Sequence, residues 1–221
     1  MENERIRAIY DASVDLFLNQ GYSRTQISHI AKAVGVSVGT IYHDFTGKRE
    51  IMHFILKSTI DPEFISREFE RPITDALFDG LETEIIAVFD ETADAFAENL
   101  EAAGVSYPLE QMVSDAFDLM AKYAVGCLFI EKNELDCRNL ARYYRTYRKQ
   151  FFITMAEYLK RYMEKGIVRP LKSVELTTGL MIEMLSWWAM DMRFITFEAP
   201  NITLEQAKEV CLDNIISAYG I

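Results

Sequence analysis

The polar side chains between Ser37 and Lys48 can donate, accept and touch, but no catalytic constellation is visible among them. In SVGTIYHDFTGK, Ser37, Thr40 and Tyr42 supply hydroxyls, His43 an imidazole and Lys48 an ammonium, while Val38 and the Thr40 methyl are apolar. Gly39 adds bare backbone. Such a set recognises a patterned polar ligand. The parts needed for catalysis are missing elsewhere. The three histidines fall at 29, 43 and 53, and no acid and nucleophile are spaced for a triad. Glu183 and Asp191 share one helix but stand eight positions apart, too remote for a carboxylate pair. Cys127, Cys137 and Cys211 are odd in number and lack C-x-x-C spacing, which argues against a disulfide framework or a zinc site. They read as small apolar residues, with a thiol sensor at Cys127 and Cys137 as the alternative. No enzyme, cofactor or metal is expected.

The elements that must position this stretch are helices. Aliphatic residues, Ala, Met, Glu and Lys recur at three- and four-residue spacing, and Asn-Gly turn pairs are absent, so the fold class is all-α. Ile6, Ile9, Tyr10 and Phe17 mark one face of a helix over residues 3–20, stopped by Gly21. Thr25 reads as the cap of a second helix, with Ile27, Ile30, Ala31 and Val34 inward and Gly35 at its end in positive φ. Ser37 then caps a third helix through about Asp44. Two short helices joined by so tight a turn make a helix-turn-helix. A fourth helix starts near Gly47–Lys48 and runs towards Pro62. Longer helices follow at 81–103, 109–132, 138–165, 173–195 and 203–219. The domains are read as 1–50 for the head and 51–221 for the remainder, with no flexible linker between them.

The charge of −11 sits outside the head. Residues 1–50 hold six basic and six acidic groups, whereas 51–221 hold 17 basic and 28 acidic. Within the latter, 61–136 carry 4 basic and 19 acidic groups, and 138–172 carry 10 basic and 2 acidic. Alternation of this kind implies solvated helix faces and pairing between neighbours, with attraction of a charged small molecule of either sign as the functional alternative. The amphipathic N-terminus is unlike a signal peptide, and the apolar run 180–190 is too short for a membrane span and broken by Glu183. A cytoplasmic location without membrane contact is the expectation.

Residues 21–52, GYSRTQISHIAKAVGVSVGTIYHDFTGKREIM, resemble the N-terminal signature of the TetR family of bacterial repressors. The shared positions are Gly21, Tyr22, Thr25, Ile30, Ala31, Gly35, Val36, Ser37, Gly39, Thr40, Ile41, Tyr42, Phe45 and Lys48. The resemblance covers about a quarter of the chain. Arg24 departs from it, where small residues are usual, and His43–Asp44 occupies a variable place. It implies a homodimer with a three-helix DNA-binding head and a C-terminal helical domain for ligand binding and dimerisation. The partner would be double-stranded DNA at a palindromic operator. In the major groove, Ser37, Val38, Thr40 and His43 could reach base edges, and Gly39 would permit close approach. Tyr42 would donate to a phosphate, Lys48 would neutralise one, and the helix beginning at Thr25 would offer backbone N–H groups. Asp44 should turn away from DNA.

Helix 173–195, through LMIEMLSWWAM, is apolar on nearly every side, so it should be buried all round. With 203–219 it would form the homodimer interface. Met184 and Trp188, one turn apart, could line a pocket for an unknown small, largely apolar effector, faced by Phe89, Phe96, Phe117, Tyr123, Tyr147 and Phe151. Those aromatics equally suit an ordinary core. Glu183 would need an arginine from 138–149, an inter-subunit rim or a cationic ligand. Relief of repression by that effector is the leading reading. Recruitment of a partner protein, or the thiol sensor, is the alternative.

Overall fold

The computed structural model describes residues 2–194 and 202–221, and among them it contains helices, turns and isolated bridges but no β-strand. The α-helices are α1 (Glu2–Asn19), α2 (Ile27–Val34), α3 (Val38–Asp44), α4 (Lys48–Ile60), α5 (Leu81–Glu98), α6 (Leu109–Lys132), α7 (Arg138–Glu164), α8 (Val174–Ala189) and α9 (Leu204–Tyr219). The all-α expectation therefore holds. Two helices stop earlier than their periodicity suggests. α5 passes into a 3₁₀ turn over Asn99–Ala102, and α8 is followed by another over Asp191–Arg193. The expected end of the latter helix at 195, and the separator at 198–201, lie outside the described residues. Among those described, no helix is long and apolar enough to cross a membrane.

The chain packs as two units, Met1–Val88 with Val125–Arg142, and Phe89–Ala124 with Tyr143–Ile221. In the first unit, α1 packs on α2 and α4, and α2 on α3; Ile6, Ile9 and Phe17 of α1, Ile30 and Ala31 of α2 and Ile41 of α3 are all buried. Gly21 (φ 92°) and Gly35 (φ 78°) terminate α1 and α2 in the left-handed region that only glycine enters without strain. Ser37 caps α3, its Oγ accepting the Thr40 N–H at 3.1 Å. Thr25, however, does not cap α2. Its N–H turns back to the carbonyls of Gly21 and Tyr22, and its buried hydroxyl donates to Gly21 O at 2.9 Å. The helix consequently starts one residue later, with Gln26 as N-cap, whose N–H is taken by His29 Nδ1 at 3.3 Å.

Residues 61–80 show no helical period in the sequence, yet they form a strap across the end of α3. The Ile73 N–H donates to Asp44 O at 2.8 Å and the Thr46 N–H to Ile73 O at 3.0 Å, so that Phe45 and Ile73 form an isolated parallel bridge. Phe54 of α4 anchors the strap through ring contacts with Phe64 (5.1 Å) and Phe69 (5.4 Å), and meets Phe45 at the end of α3 at 5.5 Å. The end of α6 approaches α4 at Gly126, where a Cβ would stand 2.7 Å from Thr59 Cγ2.

The second unit is built on aromatic packing between α5, α6 and α7. Phe89 meets Tyr123 at 5.3 Å and Tyr147 at 5.2 Å, while Phe96 stacks on Phe151 at 5.4 Å. The phenols of Tyr158 and Tyr162 stay inside because each donates to a backbone carbonyl, of Phe96 and Tyr107 respectively. α8 packs on α9, with Met181, Leu185 and Ala189 of α8 and Ala207, Cys211 and Ile215 of α9 buried. Within a single chain α8 is buried on one side only, and the burial of its outer face expected from a second subunit is not tested by one chain. Leu176 (74%) and Leu180 (65%) are exposed, as are Glu183 and Trp187 on the same stripe.

Candidate nucleic-acid interface

The solvent side of α3 gathers most of the residues read as DNA contacts. Val38 is 41% and Tyr42 50% exposed. Ser37, Gly39 and His43 are also exposed, and Thr40 is half-buried. The Thr40 hydroxyl lies 2.9 Å from Ser37 Oγ, leaving further hydrogen-bonding capacity and its methyl. Gly39 has no internal need to be glycine. A Cβ there would meet only Ser37 Oγ at an ordinary 3.6 Å. Ile41 and Phe45, on the opposite side, belong to the core.

Two expected contacts are turned inward. Thr25 has 1% of its surface exposed, so its side chain has nothing to offer a ligand. Lys48 projects into the α1–α2 turn, where its Nζ donates to Tyr22 O (2.7 Å) and Thr25 O (2.9 Å) and sits 4.0 Å from the Tyr22 ring centroid. Burial lowers the pKa of its ammonium, opposed by the charge of Asp136. The sequence revealed the lysine but not the two carbonyls that face it, because the turn carrying them is separated from Lys48 by α2 and α3.

Asp44 is the polar residue whose role the sequence hid. It ends α3 fully buried, accepting from Arg5 Nε (2.5 Å) and Nη2 (2.7 Å) and from Arg71 Nη1 (2.6 Å), with His43 Nδ1 at 3.3 Å. Burial pushes its carboxyl up, but the hydrogen bonds from Arg5 and His43 and the charges of Arg5 and Arg71 prevail, holding it below the usual value. Its position inside the head fits the expectation that it turns from DNA. Arg49 is likewise paired, to Asp75 at 2.9 Å. Of the six basic residues in 1–50, Arg7, Arg24 and Lys32 stand exposed without a salt bridge among the described pairs.

The residues expected to line an effector pocket fall into separate places. Phe89, Tyr123 and Tyr147 form one aromatic cluster and Phe96 with Phe151 another, while Phe117 is fully buried. Trp188 lines a recess of about 30 Å³ with Met192 and Leu204, and Met184 is half-buried. Glu183 is not enclosed by apolar neighbours, since within the chain it lies on the open face of α8. All three cysteines are buried and none is in a disulfide. Burial, with Asp136, Glu82 and Glu134 nearby, pushes the Cys137 thiol up to about 12, and burial alone pushes Cys211 to about 11. Thiols so shifted are poor nucleophiles, which counts against the redox alternative. Among the described residues, no group of three or more His, Cys, Asp or Glu could hold a metal ion.

Known proteins carry the same head. Residues 9–54 match the family model described as bacterial regulatory proteins, tetR family. The chain is 41% identical over 59 residues to the fatty acid metabolism regulator protein of Bacillus subtilis (strain 168), covering 27% of this chain and 30% of that one. It is 28% identical over 122 residues to the HTH-type transcriptional regulator SrpR of Pseudomonas putida, covering 52% of this chain and 56% of that one. The chain thus spans from under a third to little more than half of these relatives. The ketosteroid transcriptional regulator KstR2 of Mycobacterium tuberculosis has a similar fold, with a TM-score of 0.58 at 16% identity over 98% of this chain and 95% of that one. Residues 9–54 thus match the tetR family of bacterial regulatory proteins, and they are carried on an all-helical body whose fold is similar to that of KstR2.

Proposed function

We propose that the protein is a dimeric, sequence-specific DNA-binding transcriptional regulator, a repressor released from a palindromic operator by a small, largely apolar effector. The observation that supports it most is the exposed face of α3. There Val38, Gly39, Thr40, Tyr42 and His43 present methyl, hydroxyl, imidazole and bare backbone on a helix fixed by the Gly35 turn and the Ser37 cap. An α-helix fits the major groove, where such groups discriminate base pairs. By function, residues 1–50 would read DNA, and 51–221 would bind effector and dimerise. Leu176, Leu180 and Trp187 of α8, with Val210 of α9, form the apolar surface proposed for the dimer, and Glu183 lies at or near its rim. The effector would engage the aromatic residues of α5–α7 (Phe89, Phe96, Phe117, Tyr123, Tyr147, Phe151) and Met184 and Trp188 of α8. An effector that favours a state with displaced heads lowers DNA affinity by the coupling free energy.

The reading is tested by fluorescence anisotropy on duplexes enriched from genomic DNA by the protein itself. Thr40→Ala should relax preference at one position per half-site, and Tyr42→Phe should weaken all sequences alike. Equal loss on every sequence from Thr40→Ala would remove it from base recognition.

A further inference from the structure

Behind the head, wholly within the first unit, lies an open cleft of about 390 Å³. Its walls come from four segments: Met52 and Leu56 of α4, Phe78 of the strap, Ile85 of α5 and Leu140 of α7. These side chains are apolar and buried. At the cleft's edge stand the exposed carboxylates of Glu82 and Asp136; no lysine or arginine lines it, and the His53 imidazole that does is held by Asp75 at 2.7 Å. The hydrogen bonds described for these carboxylates come from neutral donors, the Asn139 amide (3.3 Å) and the Ser23 hydroxyl (2.9 Å). Cations on this side of α4 are matched elsewhere, Arg49 with Asp75 and Lys57 with Glu84. The negative field reaches the floor, where Asp136, Glu82 and Glu134 add to burial in keeping the Cys137 thiol protonated.

From this cleft we infer a binding site for a small organic cation with an apolar body, of the size of a substituted benzene bearing a quaternary ammonium. Apolar walls with few charged groups at the edge are the usual composition of a ligand site, and the volume lies near the lower end of the usual range. The sign of the field selects a cation, the Phe78 ring supplies an aromatic wall, and the walls reject a fully hydrated ion. The site differs from the effector position proposed above, because it uses none of those residues. Its occupant touches α4 and the strap. The strap continues to Arg71 and Ile73, which hold Asp44 and the end of α3. Occupancy therefore acts on the segments that orient the recognition helix. That regulatory consequence rests on the DNA-reading role of α3, whereas the binding itself does not.

Calorimetry on the full chain without DNA tests the binding, so its outcome is independent of any failure of the DNA reading. The probe is phenyltrimethylammonium, compared with uncharged N,N-dimethylaniline and anionic benzenesulfonate at neutral pH. Saturable binding is expected for the cation, at least about tenfold tighter than for the neutral compound, with none for the anion. Glu82→Gln and Asp136→Asn should each weaken it about two- to fivefold, the range for exposed charge pairs, with unchanged melting temperatures. The methyl resonance of Met52, assigned through Met52→Leu, should move on titration. Absence of binding, equal affinity for the neutral compound, indifference to Glu82→Gln, or an unmoved Met52 methyl would each overturn the assignment.

Discussion

Gly39, Lys48 and Asp44 separate recognition from architecture within one short stretch. Gly39 sits inside a helix with room for a Cβ, so Gly39→Ala should raise thermal stability, by up to about 1 kcal/mol from helix propensity, while weakening DNA binding. Loss of stability with intact binding would show that the glycine serves the fold. Lys48 is bonded to two carbonyls of the α1–α2 turn, so Lys48→Ala should lower stability by about 1–3 kcal/mol in denaturant unfolding. Unchanged stability with a reduced salt dependence would restore it as a phosphate contact. Asp44 binds two guanidinium groups without exposure, and Asp44→Asn should cost about 3–5 kcal/mol at neutral pH. Because its folded pKa is depressed, its stabilisation is complete above the unfolded value of about 3.9 and is lost as pH falls through the folded value. The variant should therefore unfold with a flatter acid limb than the parent, as followed by circular dichroism across pH.

At the level of elements, contact between α4 and the end of α6 depends on a missing side chain. Gly126→Ala would place a Cβ against Thr59, and the overpacking cost of about 1–3 kcal/mol should exceed the propensity gain. In a Thr59→Ala background the same change should cost less, which a double-mutant cycle measures. The elements themselves were legible in the sequence where local rules decide them. Gly21, Gly35 and Ser37 end or cap their helices by backbone conformation and one side-chain hydrogen bond, all set within a few residues. What was not legible depends on contacts distant in the chain. Thr25 fails to cap α2 because the turn before it captures its N–H and hydroxyl. The strap lacks periodicity, since its shape follows from Phe54, Arg5 and Asp44, which lie earlier in the sequence. The open stripe on α8 is incomplete in the sequence for a further reason: a sequence shows that a helix is apolar, but not which chain covers it.

For the whole molecule, that stripe predicts self-association. Leu180→Arg, on a side chain 65% exposed in the single chain, should shift the protein from dimer to monomer in sedimentation equilibrium without unfolding the subunit. A dimer unaffected by the change would place the interface elsewhere. Electrostatics set a second expectation at this scale. The head is neutral, and Arg5, Lys48 and Arg49 are held by internal partners, so few phosphates can be neutralised. The logarithmic salt slope of DNA binding should be shallow, about −4 per dimer rather than about −10. On the proposed reading, recognition would then come from the face of α3 and from dimer geometry. Selection of duplexes from a random pool tests this most directly. The expected result is one enriched palindrome with half-site centres about one helical turn, or a multiple of it, apart, whose base preference relaxes at a fixed position in Thr40→Ala. Failure to enrich any sequence, or enrichment of sites that Thr40→Ala and Val38→Ala select identically, would contradict the assignment of α3 as the reading helix.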